Sequence, residues 1–449
     1  MSSTRTVRLP YGQGGLDVEV PRDATIVDPV DAPPIEDEYG AVTDALRSFA
    51  DSQSGNAGLE ELVRNSRKVV VVFPDLTRPM PNESVLPPLL AQLEGLGAGP
   101  DRVELLCATG THRRATESEM SALIGRETLA RYRVHDHSCT EDEHVTVGTV
   151  DGADVRIDRE YVDADLRILT GFVEPHFFAG FSGGPKGVCP GLADLDTVLE
   201  AHSRRRIADG RATWTVLDGN PVHEFVRAAA ALCPPALSVD VTIDSCRRLT
   251  GIFCGPLPYA HRAACESVLH HSVETVSGPF DVVLTTNGGY PLDRNLYQAV
   301  KGMAAAERVV APGGTIVMAS QCSDGLPGGG AFERLLAGAT SPEELVAGTN
   351  GSVRSSMRPA EPDGWQTQVL GRVLEKADVW LHTDGLDVDE IRRAQLKPVA
   401  DLSTGVAEAL SLHGKGSRLC VLVRGPLAVA TDGSTKIENT GDGVSNRDA

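Results

Sequence analysis

His176 and Lys186 flank the small, flexible segment Ala179-Gly-Phe-Ser-Gly-Gly184, inside a longer stretch from Gly171 to Gly191. Glycines let backbone N–H groups approach an anion closely, and a following lysine adds a positive charge and an amine nucleophile. That combination is the chemistry of a phosphate-bearing cofactor site. A Walker loop is excluded, because Lys186 is followed by Gly187 and the glycine spacing differs. Two further groups stand in polar loops upstream: Arg78 in Asp75-Leu-Thr-Arg-Pro79 and His112 in Thr109-Gly-Thr-His-Arg113; downstream, a segment of helical spacing carries His202 and Arg204-Arg-Arg206. Taken singly, Arg78 reads as a surface turn, His112 as a solvated loop residue, His176 as a packed histidine and Lys186 as a solvent-facing lysine. Two histidines from separate loops facing one pocket suit a reaction that needs a base on one side and an acid on the other.

The elements that must carry these residues follow an α/β pattern. Lys68-Val-Val-Val-Val-Phe73 and Val103–Ala108 are short apolar runs typical of strands covered on both faces. Helical spacing covers 41–49, 86–96, 117–132 and 195–207, and the strand Leu166–Thr170 feeds the glycine-rich stretch. Strand, polar loop and helix in repetition predict a doubly wound sheet, whose ligands bind beyond the carboxyl ends of the strands. The three polar loops then open onto one crevice, which raises the significance of Arg78, His112, His176 and Lys186 together. Upstream, residues 5–30 read as a hairpin around Tyr11-Gly-Gln-Gly-Gly15.

Near Ser272 the composition turns polar, and a second alternating unit begins: a strand at 281–286, a helix at 295–306, and strands at 314–319 and 379–382. The expected architecture is α/β with two domains, each a mostly parallel sheet flanked by helices, and the active site in the inter-domain cleft. The expected boundaries are 1–272 for a cofactor-binding domain and 273–410 for a second α/β domain. Residues 411–433 supply a strand that could return to the N-terminal domain, and 434–449 form a polar, disordered tail.

With 449 residues, 41% hydrophobic and 23% charged, the chain has the composition of a soluble globular protein. Its 42 Lys and Arg against 62 Asp and Glu give a formal charge of −20, which argues against nucleic acid or an anionic membrane as partner. An anionic ligand must therefore be drawn in by local positive charge. The start lacks the apolar run of a secretory signal and no membrane-length run follows, so a cytoplasmic location is expected. Nine cysteines without a CxxC pair suggest small buried hydrophobes rather than disulfides or a zinc knuckle.

Asp75-Leu-Thr-Arg-Pro79, Gly110-Thr-His112, Pro175-His-Phe-Phe-Ala-Gly-Phe-Ser-Gly-Gly-Pro-Lys186 and Tyr297-Gln-Ala-Val-Lys301 together resemble the nickel-dependent lactate racemase family. The resemblance runs from the Leu9-Pro-Tyr-Gly12 start to Asp363-Gly-Trp-Gln366. It implies an isomerase that inverts Cα of a 2-hydroxy acid by hydride transfer to a nickel-pincer nucleotide, a nicotinate-derived mononucleotide bearing thiocarboxylates, through a planar 2-keto acid. By that resemblance Lys186 is the covalent anchor and His202 the nickel ligand, while His112 and His176 are the acid/base pair. Arg78 and Lys301 hold the substrate carboxylate, and Gln298, Tyr297 and Trp365 line the pocket. Asp75, Ser182, Gly183 and Gly184 position the cofactor. The implied partners are a small 2-hydroxy acid and the cofactor-assembly enzymes. Lactate, malate, an aromatic lactate and a sugar acid all remain open as substrates.

Two rival functions are weighed. A nicotinamide oxidoreductase needs GxGxxG after a strand, and Gly325-Leu-Pro-Gly328 has the wrong spacing and context. A non-catalytic nucleotide-binding protein has no need of both histidines. A metal cluster of another kind could be drawn from His135, His137 and His144 beside Glu141-Asp-Glu143; a solvated acidic loop is the preferred reading. His223, His261, His270 and His271 are read as structural.

Overall fold

The computed structural model describes residues 4–28, 30–51, 58–326, 330–348 and 361–431. The expected tail at 434–449 lies outside the described residues. Two six-stranded sheets organise the chain. In the first, the strands lie in the order Leu249–Gly255, Leu237–Ile243, Leu166–Phe172, Val69–Pro74, Val103–Ala108, Arg133–Asp136. All neighbours are parallel except the antiparallel edge strand Leu249–Gly255. Numbered along the chain this is the order 6-5-4-1-2-3, so the connections reverse direction between Val69–Pro74 and Leu166–Phe172. Such a switch point leaves a crevice beyond the strands' carboxyl ends.

The second sheet runs Lys397–Pro398, Ala377–His382, Val310–Ala319, Phe280–Thr286, Leu419–Leu422, Thr25–Val27, parallel throughout. The strand within 411–433 therefore belongs to this sheet and not to the N-terminal one. The hairpin Thr4–Tyr11/Gly14–Pro21 also joins the second unit: Leu9, Val18 and Val20 pack with Val282, Leu284, Val317 and Val421. A domain written as 1–272 thus contains a segment whose core lies in the other unit. The reason is burial: the apolar face of a two-stranded hairpin is covered only by the far side of the second sheet. At the 272 boundary, the helix Leu257–Ser272 ends and Val273–Thr275 pairs with Val429–Thr431.

Two helices expected to be continuous are broken. Gly125, at φ 82°, separates Glu117–Ile124 from Arg126–Arg131. The 195–207 helix stops at Ala201, with His202 as its C-cap, and resumes over Arg204–Ile207. Strands at Arg133–Asp136, His144–Val150, Ala153–Asp158, Leu237–Ile243 and Leu249–Gly255 were not among the expected elements.

The two units are bolted together through the glycine-rich stretch. Phe177, Phe178 and Trp214 enter the second unit's core beside Leu296, Val300 and Met303, and Trp214 Nε1 donates to Ala304 O at 3.3 Å. Burying a large apolar side chain contributes roughly 1.5–3 kcal/mol, so this contact fixes the loop that carries His176 against both units. The cysteines are free, and six of the nine are buried, as small hydrophobes are expected to be. Among the described residues no helix is long and apolar enough to cross a membrane.

Candidate active site

The first loop leaves the sheet at its switch point and the second leaves from the neighbouring strand. Val69–Pro74 ends directly in Asp75, and Val103–Ala108 leads through Thr109 and Gly110 to His112. Asp75 is buried while His112 is exposed. His112 Nδ1 lies 2.9 Å from Asp75 Oδ2, and Thr77 Oγ1 donates to Asp75 Oδ1 at 2.7 Å. Burial alone would raise the Asp75 pKa; the His112 hydrogen bond and charge, with Thr77 and Arg78, hold it below the usual carboxylate range. A carboxylate only accepts, so Nδ1 of His112 carries the hydrogen and Nε2 presents a lone pair. His112 is thereby set up as a base, oriented by a carboxylate as in hydrolytic triads.

The third loop follows Leu166–Phe172 and doubles back as a two-residue ladder, Pro175 against Phe181 and His176 against Gly180. His176 is buried, stacked on Phe177 at 4.9 Å and perpendicular to Phe178 at 4.5 Å. Its Nδ1 accepts from Ala179 N at 3.3 Å and Phe178 N at 3.5 Å, which leaves Nε2 as the protonated nitrogen of the neutral ring. Burial, then the charges of Lys186, Arg78 and Lys301, drive the His176 pKa well below the usual value. The two histidines are thus held in opposite tautomers, one with a free lone pair and one with a free N–H.

Lys186 sits on a one-turn helix, Gly184–Gly187, with Nζ 5.6 Å from the centre of the Phe178 ring. Burial and the neighbouring Arg78 and Lys301 push its pKa well down, toward the neutral and nucleophilic amine. His202 packs edge-on to Phe178 at 5.3 Å and beside Trp365 at 4.9 Å. Its Nδ1 donates to Val198 O at 2.8 Å, so Nε2 is a lone pair, and burial and Lys186 lower its pKa to about 4. A neutral imidazole whose other nitrogen donates to a carbonyl is the usual form of a metal ligand.

The second unit supplies the remaining wall. Asn295 caps the helix Leu296–Glu307 by accepting from Gln298 N at 3.0 Å, and this helix carries Tyr297, Gln298 and Lys301. Burial and then Arg78 lower the Lys301 pKa to about 8. Trp365, near the start of the helix Gly364–Lys376, donates from Nε1 to Tyr297 Oη at 3.0 Å, and Gln366 bonds Tyr297 O. All thirteen residues singled out in the sequence line one cavity, which both units enclose. It concentrates Arg78, Lys186 and Lys301 in a chain of net charge −20.

Asp75 is engaged with His112, a contact the sequence did not show. Two of the three amides of 182–184 are taken within the protein: Ser182 N donates to Glu174 O at 2.9 Å and Gly184 N to Asp240 Oδ1 at 2.9 Å. Ser182 Oγ donates to Phe172 O at 2.9 Å, and His261 Nε2 lies 3.0 Å from Ser182 O. The segment's donors brace its own shape. Gly184, at φ 52°, lies so close to the His261 ring that a Cβ would overlap it. Asp240 and Glu174, which pairs with Arg78 at 3.4 Å, were given no role from the sequence, and His261, read there as structural, braces this loop. None of them belongs to a motif, and Asp240 and His261 reach the loop from 56 and 79 residues away.

Residues 11–215 match the family model described as the lactate racemase N-terminal domain, and residues 275–430 the lactate racemase C-terminal domain. The lactate racemases of Thermoanaerobacterium thermosaccharolyticum and Lactiplantibacillus plantarum are each 34% identical over 386 residues, covering 85% of this chain and 89% of theirs. The lactate racemase apoprotein structure from T. thermosaccharolyticum superposes with a TM-score of 0.86 at 31% identity, covering 95% of this chain and all of that one. A Thermotoga maritima structure, at 18% identity and TM-score 0.63 over 89% of this chain and 99% of its own, shares the fold. With the two matched domains together taking in most of the chain and the relatives aligned along 85% of it, the protein is an isomerase of the racemase class and belongs to the lactate racemase family.

Proposed function

We propose that the protein inverts Cα of a small 2-hydroxy acid in the cavity between the units, with a nickel-pincer nucleotide anchored on Lys186. The observation that carries this reading is the set of states gathered around one cavity: a lysine driven toward its neutral form, an imidazole lone pair at His202, two cations, and two histidines in opposite tautomers. The relatives' names make lactate the first substrate to test.

The residues fit such a group. Lys186 would offer the amine for covalent attachment, and His202 Nε2 would offer an imidazole donor to the nickel. When bound, the nucleotide supplies a centre that takes up and returns a hydride. The chain does the rest. Arg78 and Lys301 clamp the substrate carboxylate from opposite units. His112 Nε2 receives the hydroxyl proton, and the buried Asp75 carboxylate stabilises the imidazolium that results. His176 hydrogen-bonds a substrate oxygen through its Nε2–H, and the proton held on His112 returns to that oxygen when the hydroxyl re-forms. Phe177, Phe178 and Trp365 wall the site against water, which strengthens each of these interactions. A cytoplasmic setting and a dependence on cofactor-assembly enzymes complete the proposal.

Intact-protein and peptide mass spectrometry of chain produced with the assembly enzymes tests the anchor. The expected result is an adduct on the peptide containing Lys186 that is lost in Lys186→Ala. Racemising protein with an unmodified Lys186 would overturn it.

A further inference from the structure

His135, His137, Asp142 and Asp158 gather at the edge of the first sheet, where the strand Arg133–Asp136 runs into the 138–143 loop and meets the end of the strand Ala153–Asp158. In place of a solvated acidic loop, His137 and Asp158 are buried at 0% and 1% exposure, and His135 and Asp142 are half-buried. None of the four lines the active-site cavity.

Two imidazoles converge there on two carboxylate oxygens. His135 Nε2 lies 3.2 Å from Asp142 Oδ2 and 3.4 Å from Asp158 Oδ2. His137 Nδ1 lies 2.8 Å from Asp158 Oδ2 and 3.9 Å from Asp142 Oδ2. The outward atoms are held by other partners: His137 Nε2 by Ala193 O at 3.2 Å, Asp158 Oδ1 by Glu160 N at 2.9 Å, and Asp142 Oδ1 by Arg114. Ser138 N also donates to Asp142 Oδ2 at 2.6 Å. An imidazole that donates its outer N–H to a carbonyl and turns its other nitrogen inward is the arrangement that orients metal ligands. With Nε2 committed to Ala193 O, His137 Nδ1 lies only 2.8 Å from a carboxylate oxygen. Two acceptors that close require a proton or a cation between them.

The four inward atoms bring two negative charges and two imidazole nitrogens. The four His–Asp separations, 2.8 to 3.9 Å, bracket the roughly 3.3–3.6 Å between ligands of a tetrahedral zinc ion; His135, Asp142 and Asp158 are the compact core, with ligand atoms all within 4.8 Å of one another, and His137 adjoins it through Asp158. Imidazole nitrogens favour a transition metal over calcium or magnesium. Beside them, His144 Nε2 is buried without a hydrogen-bond partner, its ring edge-on to His137 at 5.4 Å. We infer that His135, Asp142 and Asp158, with His137 beside them on Asp158, bind a divalent transition-metal ion of the zinc class, structurally and separately from the active site. The ion ties the sheet's edge strand to the 138–143 loop and to the strand Ala153–Asp158.

Cobalt and zinc titrations of the full chain made without the cofactor-assembly enzymes test this. The expected result is about one equivalent of Co²⁺ with visible bands of tetrahedral intensity, displaced by Zn²⁺, and a thermal midpoint raised by Zn²⁺ through mass action. His202→Ala retains both signals, whereas His135→Gln and Asp142→Asn weaken binding at least roughly tenfold. Asp142→Asn lies in the loop and keeps the test valid if His135→Gln does not fold. Absence of stoichiometric binding, or binding lost in His202→Ala but kept in Asp142→Asn, would overturn the site; the first leaves a proton-bridged ion-pair network, the second places the ion in the active site.

Discussion

Replacing Asp75 by Asn probes how the base is held. Thr77 Oγ1 donates at 2.7 Å to Asp75 Oδ1; when the amide oxygen introduced by Asp75→Asn keeps that bond, the NH2 turns toward His112 Nδ1. That nitrogen, 2.9 Å from the carboxylate in the native protein, must then accept, and the hydrogen moves to Nε2. His112 becomes a neutral donor with no lone pair facing the substrate. General-base catalysis is worth about 10²–10⁴-fold, and the corresponding Asp→Asn exchange in a Ser-His-Asp triad costs about 10⁴-fold. Because His112 is exposed and its ring can reorient, the expected loss is about 10²–10³-fold in kcat, roughly 3–4 kcal/mol, with KM little changed. Asp75→Ala lets the imidazole choose its tautomer and is expected to cost less than Asp75→Asn. Chiral chromatography of the lactate produced by loaded enzyme gives both rates, and thermal melting checks that each variant is folded. Asp75→Asn within about threefold of wild type, or Asp75→Ala worse than Asp75→Asn with both folded, would refute the tautomer argument.

Three other outcomes follow from the same geometry. Gly184→Ala, which forces a Cβ onto the His261 ring at φ 52°, should lower stability in urea by roughly 2–4 kcal/mol; Gly210→Ala, with open space around it, should be within about 0.5 kcal/mol of wild type. His202 is neutral in the folded chain down to about pH 4, whereas the unfolded chain protonates it near its ordinary value of about 6.5, so its share of stability is complete above that pH and lost as pH falls toward 4. That share is about 3 kcal/mol, and denaturant unfolding of His202→Gln should show a correspondingly shallower loss between those pH values; an unchanged slope would contradict it. Lys301 is charged below about pH 8 and neutral above, so kcat/KM for a carboxylate substrate should fall as pH rises through 8. In Lys301→Met that descent should be absent.

Strands covered on both faces were legible from composition. Val69–Pro74, Val103–Ala108 and Phe280–Thr286 are runs that leave few alternatives, because β-branched and apolar residues in succession are stable only with both faces buried. With the strands came the loops at their carboxyl ends, and with the loops the residues of the cavity. Leu237–Ile243 was not legible in the same way. Its alternating Ser238 and Asp240 look like a solvent face but are buried, Ser238 Oγ donating to Asp240 at 2.8 Å beneath Gly184. Long-range packing placed the N-terminal hairpin over the second sheet and paired Thr25–Val27 with Cys420–Leu422. The same holds for Asp240 and His261 bracing the glycine turn, for the tautomers of His112 and His176, and for the gathering of His135, His137, Asp142 and Asp158. Local composition encodes whether a segment must be buried. It does not encode which distant partner buries it, or which way the hydrogen bonds of a paired imidazole run, since both are set by contacts between residues far apart in the chain.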